Sequence, residues 1–430
     1  MIGKHRIIRI AIICLVGIVG YSCDNKAKEE KGQLKEETLT RVVIGAERLF
    51  EPDYFSMIEG KKVALVTNHT GLLPDGRHLV DVLYENKKVD LTLLFGPEHG
   101  IRGEEDNHVS DGADSGTGLP VISLYGKVRK PSAEMLEGIE VIIFDIQDIG
   151  ARFYTYIATM NHVLEAAAEN DIPYLVLDRP NAIGGVYVDG PVGELQKEPV
   201  VGVDQLPVVH GMTVGELVNM FNEERSKKGL KKADLTVVKM EHYDRNKWYD
   251  EAGLPWIKPS PNMLTLTTAA LYPMTCLLEG TNMSEARGTL HPFEHIGATW
   301  VDGKALADKL NGYQLEGVEF IPSQFTPEEV VDGIKIYPPK FLGEQCESAF
   351  IKVTNRDDFA SAQAGVYMMK ALYELYPEKL EWKAARMDRL MKTPSVREGI
   401  LNGENPASII QQWSEGLAYF KKVRSCYLLY

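Results

Sequence analysis

Beyond residue 43 the chain alternates short apolar runs with longer stretches in which apolar positions recur every three or four residues. Val63–Thr67, Leu91–Phe95, Val121–Leu124, Val141–Asp145, Tyr174–Asp178 and Val208–Val209 are apolar almost throughout. Continuous rather than alternating hydrophobicity is the pattern of strands covered on both faces, as in a parallel sheet. Between them, His78–Glu85, Ser132–Leu136, Tyr156–Asn170 and Val214–Glu224 read as helices. Pro131 precedes Ser132 at one predicted start, and Thr213 with Glu216 three residues on makes a capping box at another. The spacing predicts an α/β domain, a doubly wound parallel sheet, over 43–234.

Near residue 235 the rhythm changes. A strand at Leu235–Met240 leads into the aromatic, proline-rich segment His242–Pro261 and then into Gly/Thr/Ser-rich sequence to about residue 300. The last third mixes strands at Glu319–Pro322 and Ala349–Val353 with a helix at Phe359–Leu375 and a closing helical pattern from Ala407 to Phe420. Residues 235–430 are therefore expected to form a second, smaller α+β domain. The other end differs in kind. Lys4, Arg6 and Arg9 precede the apolar run Ile10–Gly20, which is shorter than the roughly 20 residues that span a bilayer. Residues 1–22 read as an export signal, and its end before Cys23 resembles the lipobox of bacterial lipoproteins. Cys23 is then the lipidated first mature residue, and 23–42 a polar tether. The chain is expected to be exported and held to a bacterial membrane through that lipid alone; the alternative is an uncleaved signal anchor.

Composition narrows the classes further. The chain has 430 residues, 44% hydrophobic and 25% charged, which excludes a disordered or collagen-like protein. Its formal charge of −14 argues against nucleic acid as partner. Beyond the lipidation candidate Cys23 the chain has three cysteines, Cys276, Cys346 and Cys426, which do not make a disulfide scaffold.

Ligands of open α/β sheets bind beyond the carboxyl ends of the strands, and polar residues gather after every predicted strand. They are Gly96-Pro97-Glu98-His99-Gly100-Ile101-Arg102-Gly103, Tyr125-Gly126, the run from Asp145 through Asp148 and Arg152 to Tyr154, Asp178-Arg179-Pro180-Asn181, and His210-Gly211. The first is no dinucleotide loop. Its glycines are wrongly spaced, Pro97 lacks an N–H, and Glu98 sets an anion where pyrophosphate would lie. No nucleotide and no other cofactor is expected. A carboxylate between glycines and a histidine suits proton transfer, although an equally simple reading pairs Glu98 with Arg102 to pin the loop. A second cluster, Ser260-Pro261-Asn262 and Glu279 to Glu294, holds Glu279, Asn282, Glu285 and Arg287 near Tyr272, Phe293 and Trp300. Such a set suits a polyhydroxylated ligand. Glu98, His99, His108 and Asp111 are conceivable metal ligands but lack any established metal-binding spacing, so no metal is assigned.

GPEHGIRG, SLYG (Ser123–Gly126), FDIQDIGARFYTYI (Phe144–Ile157), LDRPNAIGG (Leu177–Gly185), PVVHGMTVGEL (Pro207–Leu217), SPNM (Ser260–Met263) and EGTNMSEARGTLHPFE (Glu279–Glu294) together resemble the exo-β-N-acetylmuramidase family. The resemblance runs from about residue 43 to 430. It implies a Rossmann-like domain, a smaller C-terminal domain and a cleft between them. It also implies release of N-acetylmuramic acid from the non-reducing end of peptide-free peptidoglycan fragments. The family's proposed catalytic glutamate falls on Glu98. The second carboxyl group is then sought among Asp145, Asp148, Glu279 and Glu285. The partner of the substrate's lactyl carboxylate is sought among Arg102, Arg152, Arg179 and Arg287. Tyr125, Tyr154, Asn282, His99, Asn181 and His210 are the remaining expected substrate contacts. Two other functions fit the same residues: a lipid-anchored protein that binds wall sugars without cleaving them, and a metal-dependent hydrolase using Glu98, His99 and His108.

Overall fold

The structure, a computed structural model, describes residues 41–103, 111–193 and 205–430. The export signal, Cys23, the tether up to residue 40 and His108 lie outside the described residues; the last two residues assigned to the tether belong to the fold, with Val42 buried and its N–H donating to Ala252 O (3.0 Å). Five of the predicted apolar runs are strands of one sheet: β1 (Lys62–Thr67), β2 (Asp90–Gly96), β4 (Pro120–Ser123), β5 (Val141–Asp145) and β6 (Tyr174–Leu177). The two-residue β3 (Gly112–Ala113) pairs antiparallel on the edge beside β4, and β7 (Leu235–Val238) closes the other edge. The spatial order is β3-β4-β2-β1-β5-β6-β7. Counted in chain order, the six parallel strands read 3-2-1-4-5-6, the Rossmann order with its switch point between β1 and β5.

Side chains alternate across this sheet. Ala64, Val66, Ile142 and Phe144 enter one core together with the helices Tyr156–Asn170 and Val214–Lys227. Val63, Leu65, Val141 and Ile143 enter the other with the helix Leu79–Glu85. Burial on both faces is why the runs lack a polar period. The capping box at Thr213 forms as predicted.

Four expectations are corrected. The strand at 235 does not open the second domain: β7 pairs with β6 in parallel, so a boundary at 234/235 would cut this sheet. Val208–Val209 is no sheet strand; it bridges Ala151 and Asp189 singly, a buried pair confined between Pro207 and Gly211. Ser132–Leu136 is a turn, too short to nucleate a helix before Gly138 takes φ +77°. The closing pattern from Ala407 to Phe420 is two helices, Pro406–Gln411 and Ser414–Arg424, that meet at the buried Trp413.

The second half holds an antiparallel sheet in the order β8 (His295–Ala298), β12 (Cys346–Val353), β9 (Val318–Phe325), and a small hairpin of β10 (Val330–Val331) and β11 (Ile334–Lys335). The helix Gly303–Asn311 packs on β9 and β12, and Ser361–Leu375 packs on Leu266–Thr275. Leu271, Ile296 and Leu372 belong to the same apolar core as Phe95 and Phe144. Residues 40–430 are accordingly one compact unit.

Candidate active site

Strand register sets the rim. Thr67 lies beside Asp145, and Gly96 beside Ser123, so the loops after β1, β2, β4 and β5 leave the sheet side by side. At the switch point itself the chain occupies its own crevice. Thr67 Oγ1 donates to the Asp145 carbonyl (2.8 Å), Gln147 N donates to Thr70 Oγ1 (3.0 Å), and Asn68, Thr70, Asp145 and Gln147 are all buried. The large cleft lies further along, over the ends of β2, β4 and β5. It has a volume of about 830 Å³ and is walled by both halves of the chain.

Glu98 faces this cleft from the turn after β2, where Gly100 N donates to the Pro97 carbonyl (3.1 Å). His99, at φ 71°, holds a left-handed conformation that a non-glycine residue seldom adopts, so the turn is imposed by its surroundings. One such contact is Gly103, which sits so close to the His69 ring that an added Cβ would lie 2.5 Å from it. Thr155 Oγ1 donates to Glu98 Oε2 (2.9 Å), and the Tyr125 hydroxyl lies against the same carboxylate. Burial first, then the charge of Glu98, pushes the Tyr125 phenol above its ordinary range. Arg386 and Glu279 act on that phenol as well, which places side chains from both halves around one point. Tyr154 and Tyr156 continue the wall edge to face, and Tyr156 Oη reaches the Pro259 carbonyl (2.5 Å).

The opposite wall is charged. Glu279 Oε1 accepts from Arg287 Nη2 (2.8 Å), and its Oε2 accepts from Arg386. Burial opposes ionisation of Glu279, but the two guanidiniums outweigh it and hold the carboxyl down at about 2. Glu285 is paired with Lys340 Nζ (2.9 Å) and Arg287 Nε (3.3 Å). Arg287 also lies 4.9 Å from the centroid of the Phe293 ring. Glu98, by contrast, has no cationic partner among the described residues; Arg102, its suggested partner, is held instead by Asp81 and Asp114 (2.8 Å each).

Of the expected site residues, the cleft thus gathers Glu98, His99, Tyr125, Tyr154, Glu279, Glu285 and Arg287. The others are placed elsewhere. Asp145 and Arg179 form a sealed pair (2.5 Å) with 0% and 4% side-chain exposure, and neither lines the cleft. Arg152 is fully buried and donates to the carbonyls of Pro191, Leu206 and Leu390. Asp148 caps Gly150 N (2.7 Å) and lies 3.6 Å from His210, while Asn181 ties Met212 O to Ile183 N, all beneath the surface. Asn282 bonds Lys379 O (2.9 Å) and Glu381 N (3.0 Å), a strut rather than a lining residue. Among the described residues no three His, Cys, Asp or Glu side chains gather as a metal site.

The sequence reading missed Thr155, Lys340, Lys383, Arg386 and Arg389, which all line the cleft. The last three had a signal: cations at i, i+3 and i+6 on a helix, Ala384–Met391, whose Met387, Leu390 and Met391 are buried. Gly280 lets that helix approach, since a Cβ there would lie 2.9 Å from the Met387 side chain.

Comparison with known proteins agrees along most of the chain. Residues 63–267 match the family described as exo-beta-N-acetylmuramidase NamZ, N-terminal, and residues 270–430 its C-terminal counterpart. The chain is 44% identical over 382 residues to the peptidoglycan beta-N-acetylmuramidase NamZ of Bacillus subtilis (strain 168), covering 88% of this chain and 89% of that protein. Two crystal structures of DUF1343 family proteins from Bacteroides fragilis NCTC 9343 are similar in fold. One has a TM-score of 0.82 at 35% identity and the other 0.72 at 34%, each alignment covering 91% of this chain and 99% of theirs. With both halves matched, and with polar strand-end loops converging on one cleft, this chain belongs to the NamZ exo-β-N-acetylmuramidase family.

Proposed function

We propose that the chain is an exo-acting glycosidase that releases N-acetylmuramic acid from the non-reducing end of peptide-free peptidoglycan fragments. The supporting observation, beside family membership, is that Glu98 is the cleft carboxylate without a cationic partner among the described residues. Glu279 is held ionised by Arg287 and Arg386, which removes it as a proton donor, and Glu285 is engaged by Lys340 and Arg287. Glu98, with its rotamer set by Thr155, is the general acid that protonates the departing sugar oxygen. Tyr125 and Tyr154 line the cleft where the pyranose would lie, with Phe153 and Tyr156 beside them.

Glu98→Gln keeps the shape and hydrogen-bonding reach of the side chain but holds no transferable proton. Turnover of a chromogenic β-N-acetylmuramide should fall at least about a hundredfold, the lower bound of general acid catalysis, with folding unaltered. Near-normal turnover would remove Glu98 from the mechanism. Binding of the sugar without any turnover by the unaltered protein would favour the sugar-binding reading instead.

We further propose that the protein is exported and anchored through lipid on Cys23, a reading that rests on the basic and apolar runs before it. Labelled fatty acid should be incorporated by cells making the full chain and not by those making Cys23→Ser.

A further inference from the structure

We propose that the carboxylate of the muramyl lactyl ether is recognised by the cationic stripe Lys383, Arg386 and Arg389, and not by an arginine of the strand-end loops. This rests on the reading of the cleft as a muramyl site. The three side chains lie one helical turn apart and line the cleft together. Lys383 and Arg389 make no side-chain ion pair or hydrogen bond among the described residues, and Arg386 is anchored through Nη2 on Glu279. The acid next in the chain, Asp388, is taken by Arg397 (2.8 Å), so it does not quench the stripe. Arg287 is shared between Glu279 and Glu285, and Lys340 is held by Glu285 and the carbonyls of Leu278 and Met283, so among the described residues the unengaged charges of the cleft are those of Lys383 and Arg389, with Arg386 fixed between them by Glu279. Five cations against three carboxylates line the cleft, an excess of two positive charges in a protein of net charge −14. Such a local reversal of sign concentrates anions.

The lactyl ether is what distinguishes N-acetylmuramic acid from N-acetylglucosamine. It is ionised when free and neutral when a stem peptide converts it to an amide. A stripe that reads its charge selects the sugar and the absence of peptide by one interaction. Lys383 and Arg389 are exposed, so the gain is that of a solvent-screened, charge-assisted contact.

The test measures dissociation constants by calorimetry for N-acetylmuramic acid, its lactyl methylamide and N-acetylglucosamine. The unaltered protein is compared with the double variant Lys383→Gln/Arg389→Gln and with Arg389→Lys. The unaltered protein should prefer the charged sugar by about tenfold over both neutral ones. The double variant should lose that preference, with KM for a chromogenic muramide rising more than kcat falls, and Arg389→Lys should keep most of it. A preference that survives in the double variant, or is absent from the unaltered protein, overturns the inference. If the preference behaves as stated but no muramide is cleaved, the enzymatic reading fails and the recognition stands. If cleavage occurs and the preference ignores the stripe, only the recognition fails.

Discussion

Asp145 and Glu98 are both carboxylates at the end of a parallel strand, yet one is sealed and the other faces a cleft. The difference is Arg179, which grips both oxygens of Asp145 (2.5 and 2.9 Å) from 34 residues away. Removing one member of a buried pair strands the other charge, at a cost of about 3–5 kcal/mol. Asp145→Ala should therefore lower the urea midpoint sharply, while the fraction still folded turns over muramide at close to the normal kcat. A selective loss of kcat with unchanged stability would return Asp145 to the active site. Nothing local in the sequence separates the two residues. Of the two, Glu98 is the one that lines the cleft, but type and strand-end position were legible for both. The identity of each partner was not, because it depends on which strands become neighbours. Arg102, Arg152 and Arg179, each equally open to a structural role in the sequence, take that role for the same reason: each is a cross-link between segments distant in the chain.

Among elements, the strands were the easiest to read, since burial on both faces writes itself as an uninterrupted apolar run. Short pieces failed where position, not pattern, decides. Val208–Val209 is as apolar as a strand but has only single bridges, and Ser132–Leu136 has a helix start without the length to continue. The helix Ala384–Met391 was overlooked because Lys383 at its N-terminus provides no side-chain cap. Its position comes from elsewhere: Lys383 N donates to Gly280 O (2.8 Å), Thr281 bridges Trp382, and Asn282 bonds residues 379 and 381. Asn282→Ala removes both side-chain bonds of that strut. The expected outcome is a rise in KM for the muramide with a smaller change in kcat, and a loss of about 1–3 kcal/mol in unfolding free energy. An equal fall in kcat at constant KM would instead make Asn282 part of the chemistry.

For the whole molecule, two carboxyls, the buried Asp178 and the cleft-lining Glu279, oppose each other in their response to acid. Asp178, at the end of β6, accepts from Thr213 Oγ1 and Gly215 N (2.8 Å each) and from Tyr430 Oη (2.7 Å). Burial nonetheless pushes it up to about 7. The folded state then retains a proton that the unfolded chain has lost, so stability rises as pH falls from about 7 toward the ordinary aspartate value near 4. Glu279, held down at about 2 by Arg287 and Arg386 against the effect of burial, has the reverse sign. Its contribution is complete above the ordinary glutamate value and is lost as pH falls toward about 2. Urea midpoints measured across pH should peak on the acid side of neutral. Asp178→Asn should flatten the limb above the peak and Glu279→Gln the limb below it; unchanged limbs would contradict these assignments. At this scale the α/β class and the Rossmann-like order were within reach of the sequence. The extent of the first sheet was not, because β7 arrives only after a helix and reads as the opening strand of the second domain.

The arrangement of the cleft also separates two duties. The proposed proton donor, Glu98, stands on a turn of the first half, whereas the proposed recognition stripe stands on the helix Ala384–Met391 and its N-cap in the second. Chimeras that join residues up to the 267/270 junction from one relative to the remainder from another would then exchange ligand preference while retaining the same bond-breaking apparatus.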